Sequence, residues 1–175
     1  MLRTHLRHTF ARVLALVGVL LAGLLVSPPT AAQAGTRQLS GTAYFSPSPG
    51  AAPCAAARAP YDDYPALVLS GSLEGCWYTD VQTARTTPGG VYLESGRELF
   101  VGSLDGGPVV TFTTTYKFEA KLDASGAEVR GRCQHPVVAG SGTGGFAGAT
   151  GQVDFKDVVD GATITYVYRG HIALR

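Results

Sequence analysis

The spacing of the turn signals constrains this chain more than any other feature. Thr87-Pro88-Gly89-Gly90, Asp105-Gly106-Gly107-Pro108, Asp123-Ala124-Ser125-Gly126 and Asp160-Gly161 leave only strand-length segments between them. Those segments are rich in Val, Thr, Phe and Tyr, residues that suit a pleated, half-buried surface. No stretch beyond residue 34 keeps a helical period with caps. Phe146-Ala147 has room for one helical turn at most, because Gly144, Gly145 and Gly148 flank it. Regularly spaced strands of this kind predict an all-β antiparallel sandwich or barrel. Closure into a barrel removes exposed strand edges.

The predicted strands are Gln38–Phe45, Ala66–Thr83, Val91–Leu104 (one bent strand or a pair, broken at Ser95-Gly96), Val109–Leu122, Ala127–Ala139, Gly151–Val158 and Ala162–Leu174. Ala66–Thr83 has the clearest two-residue period. Leu67, Leu69, Leu73, Trp77 and Val81 share one face, and Ser70, Ser72, Glu74, Cys76, Tyr78 and Asp80 share the other. The Pro/Ala/Gly-rich segment Ser46–Pro65 is long for a connection inside a compact domain, which marks it as mobile or functional.

The first residues read as an address. Arg3, Arg7 and Arg12 precede an apolar run from Val13 to Val26, and Ala32-Gln33-Ala34 offers a small-residue cleavage site. That run is shorter than the ~20 residues a spanning helix needs. Residues 1–34 are therefore expected to be a secretory signal peptide, and residues 35–175 a single extracellular domain. Loss of the three arginines takes the net charge from +1 to −2. A near-neutral chain without a basic block points away from nucleic acid or an anionic membrane as partner. Export into an oxidising compartment favours one disulfide among Cys54, Cys76 and Cys133. Cys76 and Cys133 lie in strand-like segments and form the favoured pair. The alternative has Cys54 pinning its loop to one of the others. No metal-binding spacing and no cofactor motif is present.

Gly140–Phe155, GSGTGGFAGATGQVDF, packs six glycines into a corner that feeds a strand. The run Gly142–Gly151, with the tyrosine-rich last strand and terminal Gly170-His171-Ile172 behind it, resembles the glycine-rich corner of the allene oxide cyclase and dirigent barrel superfamily. Its members carry a comparable G-x-G-x-F-x-G-A-x-G run. The resemblance implies a closed, calycin-like antiparallel barrel of about eight strands with a central cavity. It further implies either cyclisation of an unsaturated fatty-acid epoxide or steering of phenolic radical coupling. The chain looks like a bacterial-type exported relative, and no catalytic position of either branch is carried over to it.

If polar strand faces turn inward, Glu74, Tyr78, Glu94, Tyr116 and Arg132 are the cavity candidates, with Glu74 first. Such a cavity could hold a small polar-headed ligand, or bias a proton transfer through a desolvated carboxylate. The plainer alternative is that these residues meet water while the Leu/Trp face fills the core. His135 is a rim candidate or a structural histidine, and Trp77 a core residue or a stacking platform. Gly140-Ser141-Gly142 lacks the spacing of a hydrolase nucleophile elbow. The expected function is a secreted, non-catalytic barrel binding a small apolar or phenolic ligand. The alternatives are a cofactor-free isomerase or cyclase, and a surface-interaction or inhibitor protein that works through the Ser46–Pro65 loop.

Overall fold

Eight strands follow one another around a closed barrel: β1 (Gly35–Phe45), β2 (Leu67–Gly71), β3 (Leu73–Thr86), β4 (Val91–Leu104), β5 (Val110–Leu122), β6 (Glu128–Pro136), β7 (Thr150–Asp160) and β8 (Thr163–Leu174). Each pairs antiparallel with its neighbour in sequence, and β8 returns to β1 to close the cylinder. The computed structural model describes residues 35–56, 59–161 and 163–175. The predicted signal peptide lies outside them. Among the described residues, no helix is long and apolar enough to cross a membrane.

Ala66–Thr83 differs from the expected single strand. It folds back at Gly71-Ser72 into the β2–β3 hairpin, with Leu67 opposite Trp77 and Leu69 opposite Gly75. Gly71 has φ +116°, a conformation closed to most side chains, and the Ser72 amide donates to the Ser40 carbonyl at 2.9 Å. Val91–Leu104, by contrast, is one continuous strand. It bends at Ser95-Gly96, opposite a bulge between Val81 and Thr83 of β3.

Strand alternation sends one set of side chains inward. At one end of the cylinder Leu39, Leu73, Phe100, Phe112, Val153 and Ile172 fill the interior and are almost fully buried. The glycine corner plugs this end. Its single 3-10 turn, Gly144–Phe146, carries Phe146 into the core, where the ring stacks on Phe112 with centroids 5.4 Å apart. A Cβ at Gly142 would sit 1.9 Å from the Phe146 carbonyl oxygen, so the corner closes this tightly only with glycine there. Burial of a large apolar side chain such as these contributes roughly 1.5–3 kcal/mol.

A second, smaller core lies outside the barrel wall. Cys54, Ala66, Val68, Cys76 and Tyr78 pack together beneath the 46–65 segment, with Tyr61, Leu99 and Val101 against them. The disulfide is Cys54–Cys76, with Cα atoms 5.7 Å apart, and it corrects the favoured Cys76–Cys133 pairing. Cys76 faces out from β3, whereas Cys133 faces in from β6, three strands further round, and stays a buried free thiol. No disulfide can join groups on opposite faces at that separation. The bridge staples the long loop to the barrel's outer face, and the Tyr78 hydroxyl adds a hydrogen bond to the Ala55 carbonyl at 3.2 Å.

Candidate functional site

Opposite the plug the interior is open. The same alternation that points Phe100 and Phe112 into the core points Tyr92, Glu94 and Glu98 of β4 and Tyr116 of β5 into a cavity of about 240 Å³. Trp77 and Phe155 form its floor, where it meets the apolar core. Aromatic rings frame the mouth. Phe45 lies 6.1 Å from Tyr64 and 5.5 Å edge-on from Tyr166, and Tyr92 packs against Phe118 at 6.1 Å. Tyr64 comes from the end of the stapled loop, so that segment wraps the wall and reaches the entrance from outside.

Three polar arrangements occupy the cavity. In the first, Glu94 accepts hydrogen bonds from Tyr64 (2.7 Å), Tyr116 (2.7 Å) and Tyr92. Three phenol donors satisfy a buried carboxylate without a cation. Burial raises the pKa of Tyr64, Tyr116 and Tyr92, with the Glu94 carboxylate as the next cause in each case. All three phenols therefore stay protonated and keep donating.

The second arrangement is the buried pair Glu98–His135, with Nε2 to Oε2 at 3.1 Å. His135 Nδ1 lies 2.9 Å from the Val153 carbonyl, which can only accept, so Nδ1 carries a proton. One further proton then sits between Nε2 and the Glu98 carboxyl. The Thr114 hydroxyl donates to the same carboxyl at 3.2 Å. Edge-on contacts with Trp77 and Phe155, at 5.5 and 4.8 Å, fix the imidazole ring.

In the third, Glu128 and Asp157 converge above Gly131. A Cβ on that glycine would lie 2.2 Å from Asp157 Oδ2 and 2.7 Å from Glu128 Oε1, so the missing side chain is the space both carboxyls use. No other residue donates to these two oxygens, and Asp157 is only 5% exposed, so the two carboxyls meet each other. Burial, reinforced by Glu128, pushes the Asp157 pKa up to about 8. Cys133 lies nearby, and burial followed by the charges of Glu98, Asp157 and Glu94 drives its pKa far upward. It is a thiol rather than a thiolate, and so a poor nucleophile.

Of the sequence-derived candidates, Glu94 and Tyr116 line the cavity. Glu74, Tyr78 and Arg132 do not, which corrects the expectation that all five share one site. On β3 the Leu/Trp face turns inward, so Glu74 is exposed on the outer surface. Tyr78 is buried beneath the stapled loop. Arg132 projects from the outer face of β6 and pairs with Glu119 at 3.5 Å, both side chains being more than half exposed. The sequence reading did not select Asp157 or Glu128. Asp157 extends the Val153/Phe155 face at the two-residue period, a usable signal. Glu128 faces inward because of a register shift: Lys121 opposes Arg130, but Leu122 opposes Glu128, so Val129 bulges out.

No protein-family model matches this chain, and the searches of curated proteins and of solved structures also returned no match. Among the described residues, no group of three or more His, Cys, Asp and Glu side chains is arranged to hold a metal ion. The polar groups that line the cavity are carboxyl, phenol, imidazole, indole, hydroxyl and thiol groups. They can accept hydrogen bonds, donate a few, and hold protons in a space bounded by aromatic rings.

Proposed function

We propose that this is a secreted barrel that binds a small ligand with an apolar, aromatic or phenolic body at the open end of its interior, in the manner of the allene oxide cyclase and dirigent superfamily that its glycine corner resembles. One observation carries this reading. The barrel is solid at one end and, at the other, holds a 240 Å³ cavity whose mouth is aromatic and whose walls are hydrogen-bonding. Apolar walls with a few convergent polar groups are the usual makeup of a small-molecule site. The Cys54–Cys76 bridge fits an oxidising, extracellular setting. The interaction-protein alternative is weaker, because the 46–65 loop is fastened to the wall and its Tyr64 is committed to the cavity.

Native mass spectrometry of protein purified from its own secretion medium tests the reading. A co-purifying small molecule is the expected result. A clean unliganded mass, together with no binding in a lipid and phenol screen, would overturn it. Tryptophan fluorescence gives a direct readout for the screen, since Trp77 is the sole tryptophan and lines the cavity.

A second reading on the same scaffold, a cofactor-free isomerase or cyclase, is favoured by the Glu98–His135 pair. A carboxyl and an imidazole sharing one proton 3.1 Å apart in a buried wall form an acid–base couple that can take a proton from one ligand atom and return it to another. Under that reading Glu98→Gln abolishes turnover of the bound molecule while leaving its affinity within about threefold. Under the binding reading no turnover is found with either protein.

A further inference from the structure

The three polar arrangements in the cavity are not equally complete. Glu94 has three phenol donors, and Glu98 has Thr114 and the His135 ring. The Glu128–Asp157 pair takes no donor from another residue: Oε1 and Oδ2 have only each other, over the bare Cα of Gly131. Two carboxyls that meet in this way need a proton or a cation between them. No lysine or arginine lines the cavity to supply it. The lining holds four carboxyl groups and one imidazole, and the way in passes the faces and edges of Phe45, Tyr166, Tyr92 and Phe118.

We infer that the Glu128–Asp157 pair is the head-group subsite for a protonated amine, and that the ligand's apolar body lies among the aromatic rings between Trp77 and the mouth. This rests on the ligand-binding reading and names the chemical class of the ligand. An ammonium group offers three donors and a full positive charge to two facing carboxylates. Rings around it add cation–π attraction of roughly 0.5–2 kcal/mol. A carboxylate-headed ligand would place like charge against all four acids. A neutral alcohol brings no positive charge to take the place of the shared proton.

In the unliganded cavity a single shared proton can serve the pair, and burial favours holding it. Amine binding replaces it: the ammonium enters with its own protons, the pair becomes doubly ionised, and one proton leaves to solvent. Affinity for the amine should therefore rise with pH through the range where Asp157 titrates. The groups facing Asp157 are Glu128 and Cys133 of β6 and Tyr166 of β8, with Glu94 and Glu98 of β4 across the cavity. Burial raises the pKa of both the Cys133 thiol and the Tyr166 phenol, so neither ionises in that range.

Three probes of one shape test the assignment: 2-phenylethylamine, 2-phenylethanol and 3-phenylpropanoate, titrated into the full protein by calorimetry and Trp77 fluorescence at pH 6 and pH 8. The amine is expected to bind at least about tenfold more tightly than the alcohol at pH 8, with a smaller margin at pH 6 and measurable proton release. Asp157→Asn and Glu128→Gln should each erase that margin, the amine losing at least about tenfold in affinity at pH 8. The two variants are independent, so if one fails to fold the other still reports. Equal binding of amine and alcohol, tighter binding of the carboxylate, or a margin that survives both substitutions would each overturn the amine subsite and leave the ligand-binding reading standing. No binding by any probe also overturns the amine subsite. The broader reading is then decided by its own mass-spectrometric test.

Discussion

At the plugged end of the barrel, Leu73, Phe100, Phe112, Phe146 and Ile172 meet side chain to side chain. At the open end, further along the same strands, the inward positions carry Glu94, Glu98, Tyr116, His135 and Asp157. The same strands build both ends, with the β6 bulge at Val129 on the open side. What differs is the free energy each contributes. The apolar end removes large side chains from water and holds the cylinder closed. The polar end buries acids, an unfavourable step even where each finds a donor. A fold that concentrates stability at one pole can carry such groups at the other, and sites of this kind commonly draw on stability supplied elsewhere.

The sharpest way to break that contrast is to empty the plugged end. Phe146→Ala should destabilise by roughly 3–5 kcal/mol in denaturant unfolding, because the ring is buried and stacked and the glycine corner cannot collapse into its place. A loss under about 1 kcal/mol would show that the plug is not where stability resides. Next in size is the staple. Cys54→Ser with Cys76→Ser opens a loop of sequence separation 22 and should lower stability by about 3 kcal/mol on the chain-entropy estimate. Tryptophan fluorescence should also change, since the loop delivers Tyr64 to the cavity that Trp77 lines.

At the open end a smaller effect is expected. Tyr116→Phe removes one of the three donors to Glu94 and should cost about 1–3 kcal/mol. A neutral or stabilising outcome would mean that water already serves that carboxylate. The remaining effect is pH-dependent. Asp157 has its folded pKa raised from 3.8 to about 8, so the folded state holds a proton the unfolded chain has released. The associated stability is complete below the unfolded value and fades as pH rises through about 8. Thermal melting should therefore fall between pH 5 and pH 9 in the native protein, and Asp157→Asn should flatten that slope. A slope unchanged by the substitution would place the titrating group elsewhere.

The all-β class could be read in the sequence because turn residues punctuate it so regularly. The closed barrel of about eight strands came with the resemblance of the glycine corner, and the β2–β3 fold-back inside Ala66–Thr83 was not foreseen. Which side of each strand faces inward was harder. On β3 the Leu67/Leu73/Trp77 face is plainly the apolar one. On β4, however, Phe100 alternates with Leu99 and Val101, and both faces are apolar there, because a second core lies under the stapled loop. A strand covered on both sides loses the contrast that a two-residue period depends on. Glu94 and Tyr116 could be found because they sit on ordinary, unbulged stretches. Glu128 could not, since a one-residue bulge at Val129 inverts its facing and nothing in Ala127–Arg132 marks it. The disulfide failed for a related reason. Both Cys76 and Cys133 lie in strands, but pairing depends on facing and on position around the cylinder, neither of which spacing reveals.

Gly131 has one more consequence. Its strand separates Glu128 and Asp157 on the inside from Arg130, Arg132 and Lys156 on the outside, with Arg132 directly opposite Lys156 in the ladder. A wall one polypeptide thick thus carries negative sign on its inner skin and positive sign on its outer skin. The near-zero formal charge of the whole chain therefore says little about how charge is divided between the two faces of this wall.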